Sequence, residues 1–201
     1  GLHWGLLNSP FYDRHVSVSA LFDRARLGPV VGVQVRRLAA EDALVYACGH
    51  LAVHHQYGGE LFRYYEMAAS ILQPGPALDW DVVLERAVDW RLTIPTRRVL
   101  SYLNNLWPGL LPSWIPEQLE TLPTTPSERL VHSLLLSNER NNLVRAAVQW
   151  AALPGFGRRA LHLLETAFPS PAYMQQRYGP PPGGLWPVLY LRRAARTASW
   201  M

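Results

Sequence analysis

The stretch "PVVGVQVRRL", residues 29–38, alternates side-chain character and is rich in β-branched residues, whereas "EDALVYACGHLAVHH", residues 41–55, drops that alternation at once. The first reads as a strand or one arm of a hairpin, because a period of two sends successive side chains to opposite faces of a sheet. The second reads as a helix reaching about Tyr57, with Glu41 and Asp42 placed in its first turn against the positive end of the helix dipole and Gly58 and Gly59 ending it. Upstream of this junction, the opening "GLHWGLL", residues 1–7, reads as a buried strand. Downstream, helical punctuation dominates.

A second helix is expected from about Glu60 to Leu72, with Leu61, Tyr65, Ala68 and Leu72 on one stripe, and "QPGP" stops it. A third starts at Asp79 and a fourth at Pro95. "TPSE", residues 125–128, has the form of a capping box, with Thr125 as cap, Pro126 at the first helical position and Glu128 at the third. Further helices are expected at about 139–152, 157–167, 170–178 and 185–199, the last after the short linker "GPPPGG". The fold class is therefore mainly α: an array of about eight or nine helices with a short N-terminal β remnant. Two short strands do not hide their own edges, so residues 1–38 are expected to be a strand or hairpin remnant of a larger sheet, and 39–201 a helical domain.

With 201 residues, 49% of them hydrophobic, the chain can bury one good core. A lone cysteine, Cys48, excludes a disulfide framework and a Cys-based zinc site, and a reducing cytoplasm is the simplest expectation. The longest apolar runs, such as "LWPVLYL" at 185–191, stop far short of the roughly 20 residues a spanning helix needs, so no membrane role is expected. All 19 basic residues are Arg, which reads as the bias of a GC-rich bacterial genome. Their placement is uneven: six follow position 157, against the single acid Glu165. Arg192, Arg193 and Arg196 fall on one side of the last helix, where they are either a solvated face favoured by the helix dipole or a contact for phosphate or an acidic partner.

Several residue patterns carry possible chemistry. "DWD" at Asp79 and Asp81 has the letters of a metal-binding pair, but at a helix start Asp79 reads as the N-cap and the two carboxylates diverge. His50 and His54 share a helix face with Tyr46 and Tyr57; a helix-to-helix bond to Glu66 or to a tyrosine is the commoner use of such a pair, a nucleotide or acceptor contact the next, a metal the rarest. Arg63 and Glu66, three apart, are also placed to pair with each other. Tyr173 and Arg177 would hold a base and a phosphate, although packing against the core is the commoner role. The tryptophans in or beside helical patterns, Trp80, Trp90, Trp107, Trp114 and Trp150, are expected to be buried, and Cys48 to be buried and inert. No phosphate-binding Gly loop, Gly-x-Ser-x-Gly elbow, His-Glu-x-x-His pair or RNA-binding sheet motif occurs.

In order and spacing, "LHW" (2–4), "EDALVYACGHLAVHH" (41–55), "LFRYYEMA" (61–68), "LDWDVVLERA" (78–87) and "FPSPAYMQQRY" (168–178) resemble the bacterial uncharacterised nucleotidyltransferase family. The resemblance implies an N-terminal palm in which a Gly-Ser turn precedes an Asp-x-Asp strand and a third carboxylate lies immediately before "LHW". Such carboxylates hold two Mg²⁺ ions that neutralise the triphosphate and sharpen the acceptor hydroxyl. Here Gly1 stands before "LHW" and no Gly-Ser dipeptide occurs, so the catalytic set is expected to be missing and this chain alone to be inactive and to need no cofactor of its own. The resemblance makes the His50 and His54 face a recurrent feature, with Glu66 where an Asp is usual, and puts His3 and Trp4 directly after the missing acid, on opposite faces of a strand. It implies the helical, substrate-holding part of a nucleotidyltransferase, with a nucleoside triphosphate and an unknown acceptor as partners and magnesium in the full-length protein. The alternative is a non-catalytic interaction module that binds an acidic partner or nucleic acid through Arg192, Arg193 and Arg196.

Overall fold

In the computed structural model the described residues are 6–7, 9–58, 61–72, 78–136, 147, 150–151, 153, 155–180 and 185–198. The chain divides into two compact units, Gly1–Gln149 and Trp150–Met201. The first holds α1 (Pro10–Asp13), α2 (Val18–Arg24), β1 (Arg26–Val30), β2 (Val33–Arg37), α3 (Ala40–His55), α4 (Leu61–Leu72), α5 (Trp80–Asp89), α6 (Thr93–Leu106), α7 (Ile115–Thr121) and α8 (Pro126–Leu136). The second holds α9 (Phe156–Ala167), α10 (Pro171–Tyr178) and α11 (Trp186–Ala198). The fold is mainly helical, with a single two-stranded sheet among the described residues.

That sheet is an antiparallel hairpin in the register Arg26↔Arg37 to Val30↔Val33, closed by Val31 and Gly32, both at positive φ (49° and 79°). Positive φ at both central residues suits a tight hairpin turn, since it matches the right-handed twist of the strands, but a β-branched Val is a poor occupant of the first place. Upstream, the expected strand at 1–7 lies outside the described residues except for Leu6 and Leu7, which form a bend, and the short helices Pro10–Asp13 and Val18–Arg24 follow. Ser17 caps α2 by accepting from the Ala20 amide at 3.3 Å, a signal the sequence carried. The helix expected at 139–152 also falls largely on residues outside the described set.

α3 is the hub. Leu44, Val45, Cys48, Leu51 and Val53 are all buried, so the helix is apolar around most of its circumference and packs against α4, α5 and α6. Gly49 lets Leu92 approach: a Cβ there would stand 2.8 Å from Leu92 Cδ1. The acid in the first turn does more than meet the dipole. Asp42, 1% exposed, takes Arg24 Nε of α2 at 2.8 Å on one oxygen and has Arg86 Nε of α5 at 3.5 Å from the other, the latter an ion pair without hydrogen-bond geometry. A buried carboxylate is tolerable only when paired, so three helices are tied through one charge.

Glu128 makes a second tie. Thr125 Oγ1 accepts from the Glu128 amide at 3.2 Å, as the capping pattern predicts, but the carboxylate turns to the N-terminus of α6 and accepts from the Ile94 amide at 3.0 Å. The Thr93 and Thr125 amides also favour its charge. Leu92, at the α6 N-cap, offers no side-chain cap of its own, so a residue 34 positions away supplies it. Burial nevertheless outweighs these donors and holds the Glu128 carboxyl above the usual carboxylate range.

In the second unit Met174 and Leu189 form the fully buried pair, Tyr190 Oη donates to the Pro169 carbonyl at 2.7 Å, and Ser170 caps α10 as expected. Of the tryptophans, Trp90 is buried, whereas Trp114, at 44% exposed, departs from the expected role. It sits at the start of α7, a short helix with no periodic pattern long enough to announce it.

Removing the Asp42 carboxylate leaves two guanidinium groups facing each other across a buried gap. Asp42→Ala is expected to cost about 2–4 kcal/mol in urea unfolding, less than a fully buried pair because Arg24 is 31% exposed and can hydrate. Glu128→Ala strips the cap from α6 and is expected to cost about 1–3 kcal/mol. The native state keeps the Glu128 proton to higher pH than the unfolded chain does, so this group's contribution falls as pH rises out of the ordinary carboxylate range. The urea midpoint of the wild type, relative to Glu128→Gln, should therefore decline from about pH 4 to pH 7. Val31→Asn, which relieves the strained turn, should stabilise by about 0.5–1 kcal/mol in the same measurement.

Candidate functional site

A cleft of about 410 Å³ opens in the first unit between α2, the end of β2 and one face of α3. The α3 wall is a ladder spaced by four residues, Tyr46, His50 and His54, which an α-helix stacks along one face. Tyr46 Oη and His50 Nδ1 lie 3.4 Å apart, and the His50 and His54 rings stack with centroids 4.3 Å apart and planes within 20°. His55 meets His50 edge-on at 5.2 Å. Across from the ladder, α2 contributes an apolar wall that includes Leu21 and Phe22. The rim carries Arg36 and Arg37, and Arg36 Nη1 donates to the Phe22 carbonyl at 3.3 Å, which holds the strand end against α2.

The Arg37 side chain is packed over Gly28, where an added Cβ would fall 2.6 Å from Arg37 Nε. The glycine is thus what lets the guanidinium lie flat across the hairpin. The Arg24–Asp42 pair anchors the C-terminal end of α2 to α3, and so sets the cleft's width.

Among the described residues no carboxylate lines this cleft; its polar side chains are imidazole, phenol and guanidinium. Such groups can hydrogen-bond an oxyanion or a hydroxyl. They do not suit Mg²⁺, a hard cation that takes oxygen ligands. Among the described residues no group of three or more His, Cys, Asp or Glu side chains is placed to hold a metal ion. Asp79 and Asp81 do not form a metal pair: Asp79 Oδ1 accepts from the Val82 amide at 3.2 Å as the α5 N-cap, and Asp81 is exposed in the first turn. The donor set of the cleft's described residues therefore does not fit magnesium.

The other sequence candidates are dispersed. Tyr57 leaves the histidine face, because α3 ends at His55 and both Gln56 and Tyr57 adopt positive φ (49° and 59°), their amides closing on the Ala52 and Leu51 carbonyls. Tyr57 instead meets His132, Oη to Nε2, at 3.3 Å. Arg63 and Glu66 are both exposed on α4 and form no ion pair with each other; the tyrosine Tyr46 takes the place beside His50 that Glu66 was a candidate for. Tyr173 and Arg177 are exposed in the second unit, and Met174 between them is the residue that packs, which corrects the core reading. Arg192 is exposed, Arg193 is half-buried and already engaged, and the side chain of Arg196, like His3 and Trp4, lies outside the described residues.

Cys48 is fully buried, and burial pushes its thiol far above the ordinary value, so it is not a nucleophile. The sequence reading missed Phe22, Arg36, Arg37 and His55. The end of "VQVRRL" carried the only signal for the arginines: a strand that turns basic as it reaches a helix.

No match was found among curated proteins or among solved structures. A family model, however, matches residues 1–108, a span that contains the hairpin, the histidine ladder and helices α1 to α6. That match covers more than half of the chain, and it places the chain in the uncharacterised nucleotidyltransferase family.

Proposed function

We propose that this chain is the substrate-holding, mainly helical part of a nucleotidyltransferase, and that the metal-binding carboxylates of the reaction, with their magnesium, belong to residues other than those described. The observation that carries this reading is the cleft of Arg36, Arg37, Tyr46, His50 and His54, which lies inside the span matched to the family and, among the described residues, has no acid in its lining. Guanidinium groups at a rim suit phosphate oxygens, since each offers a planar fork of donors. Imidazoles one helical turn apart, held by their own stacking and by Tyr46, suit a hydroxyl or a phosphate oxygen deeper in. The apolar side of α2 would take the uncharged body of the nucleotide or the acceptor.

In this reading the residues hold and orient, and much of the benefit comes from alignment: a nucleoside triphosphate and an acceptor fixed in line react without searching for each other. Tyr46 Oη, 3.4 Å from His50 Nδ1, helps to fix the ring that would meet the substrate.

The test uses the full-length gene product with Mg²⁺ and each nucleoside triphosphate in turn, with mass spectrometry reporting transfer of a nucleotidyl group. Arg37→Gln and His50→Ala are expected to lower kcat/KM by about 10- to 100-fold, and Arg37→Gln to act mainly through KM. In the 201-residue chain both should weaken triphosphate binding by about tenfold. Loss of transfer in Asp81→Asn, a variant this reading expects to keep it, would move the catalytic acids into this chain and overturn the proposal.

A further inference from the structure

A second cleft, of about 660 Å³, lies in the first unit between the α3–α4 connection, α4, α6 and α7, and none of the histidine-ladder residues lines it. Its wall is three tyrosines locked to one another. Tyr64 Oη donates to the Tyr57 carbonyl at 3.1 Å, and the Tyr64 and Tyr102 rings meet edge to face with centroids 4.7 Å apart. Tyr57 is held from behind by His132, which burial and the nearby Arg98 keep neutral, its pKa lowered to about 4. Tyr102 remains 43% exposed at the mouth.

The cationic side of this cleft is unusual. The Arg98 guanidinium carbon sits 4.3 Å from the centroid of the Tyr57 ring, stacked on it, yet among the described residues its N–H groups make no hydrogen bond and no ion pair. Arg97 spends one N–H on the Glu120 carbonyl at 3.3 Å and forms no ion pair among the described residues either. Glu120, the one acid in the lining among the described residues, forms no ion pair with either arginine through its carboxylate. A guanidinium held against a ring has already lost some of the freedom that an anion would otherwise have to take from it, and its donors make no hydrogen bond among the described residues.

We infer that this cleft is a second ligand site, built for a small molecule that carries an oxyanion, phosphate or carboxylate, on a planar ring: Arg98 and Arg97 take the oxyanion, and the exposed Tyr102 face takes the ring. The residues involved do not overlap the histidine ladder, so the inference stands whether or not that ladder binds nucleotide. Ring-on-tyrosine contact supplies apolar burial with geometric preference, and the guanidinium pair supplies charge that no described residue neutralises.

Titration of the 201-residue chain, with its tyrosine ring resonances followed by NMR, tests this with four probes: phenyl phosphate, benzoate, inorganic phosphate and benzyl alcohol. Phenyl phosphate or benzoate, whichever oxyanion the site prefers, should bind saturably and shift the Tyr57 and Tyr102 signals, inorganic phosphate should bind about tenfold more weakly, and benzyl alcohol should not saturate. Arg98→Gln, a change at an exposed position, should weaken the ring-bearing anion by about tenfold or more, and Arg97→Gln should lower it further. Tyr102→Ala should weaken phenyl phosphate about fivefold while leaving inorganic phosphate unchanged. Absence of saturable binding by both ring-bearing anions, shifts confined to Tyr46, or an Arg98→Gln variant that binds as well as the wild type would each overturn the inference.

Discussion

One buried carboxylate sets the arrangement of the first unit. Asp42 is out of water at the first turn of α3, and its charge is balanced from two directions, by Arg24 at the end of α2 and by Arg86 on α5. An isolated ion at that depth would be untenable, so the three helices either assemble together or leave a charge unmatched. The consequence reaches the functional surface directly. Arg24 is followed by Ala25, which lines the histidine cleft, and then by β1, whose pairing with β2 delivers Arg36 and Arg37 to the rim. Two short strands without further neighbours are marginal by themselves. Their position comes from the ion pair at one end, from Arg36 reaching the Phe22 carbonyl, and from the start of α3 at the other.

Glu128 plays the matching part for α6. By accepting the Ile94 amide it fixes the start of the helix that carries Arg97, Arg98 and Tyr102, and its own helix places His132 against Tyr57. Both ties use a carboxylate whose partners lie far away in sequence, 18 positions for Arg24 and 34 for Ile94. Such contacts cost loop-closure entropy to form, and the chain recovers it by satisfying groups that would otherwise be buried unpaired.

The sequence made α4 to α6 and the helices of the second unit legible from their patterns and punctuation, and α3, apolar around most of its circumference, from the acids that open it and the glycines beyond its end; it located the caps at Asp79, Thr125 and Ser170, since a cap is a local event within three residues. Alternation revealed β structure at 29–38 but not its turn: that stretch reads as one strand or one arm, whereas Val31 and Gly32 reverse the chain inside it and the first arm begins at Arg26. α1, α2 and α7 were not legible, for each is at most seven residues long and offers barely two turns of pattern. Of the site, the His50 and His54 pairing followed from spacing alone, whereas Arg36 and Arg37 reach it only through the hairpin's pairing, which spacing along one element does not encode. Tyr57 was misplaced for a sharper reason. Extrapolating the helix to the glycines assumes that only glycine stops it, but Gln56 and Tyr57 take up the left-handed conformation first, at a cost other contacts must cover.

That cost locates the division of labour at the end of α3. Had the helix continued to Gly58, Tyr57 would have extended the histidine face, and α6 would have lost the ring on which Arg98 stacks. Reversing direction two residues early instead puts imidazoles on one side of the helix end and a phenol on the other. The turn is stabilised by the Leu51 and Ala52 carbonyls accepting the reversed amides, and by Tyr57 itself, gripped through its carbonyl by Tyr64, through its hydroxyl by His132 and across its ring by Arg98. A strained non-glycine residue persists only where its surroundings over-determine it, and here three separate contacts do so. Two of those three contacts, Tyr64 and Arg98, line the second cleft, so the strain is maintained in part by that cleft's own wall, and the left-handed turn parts His54 of the first cleft from Tyr57 of the second along the chain.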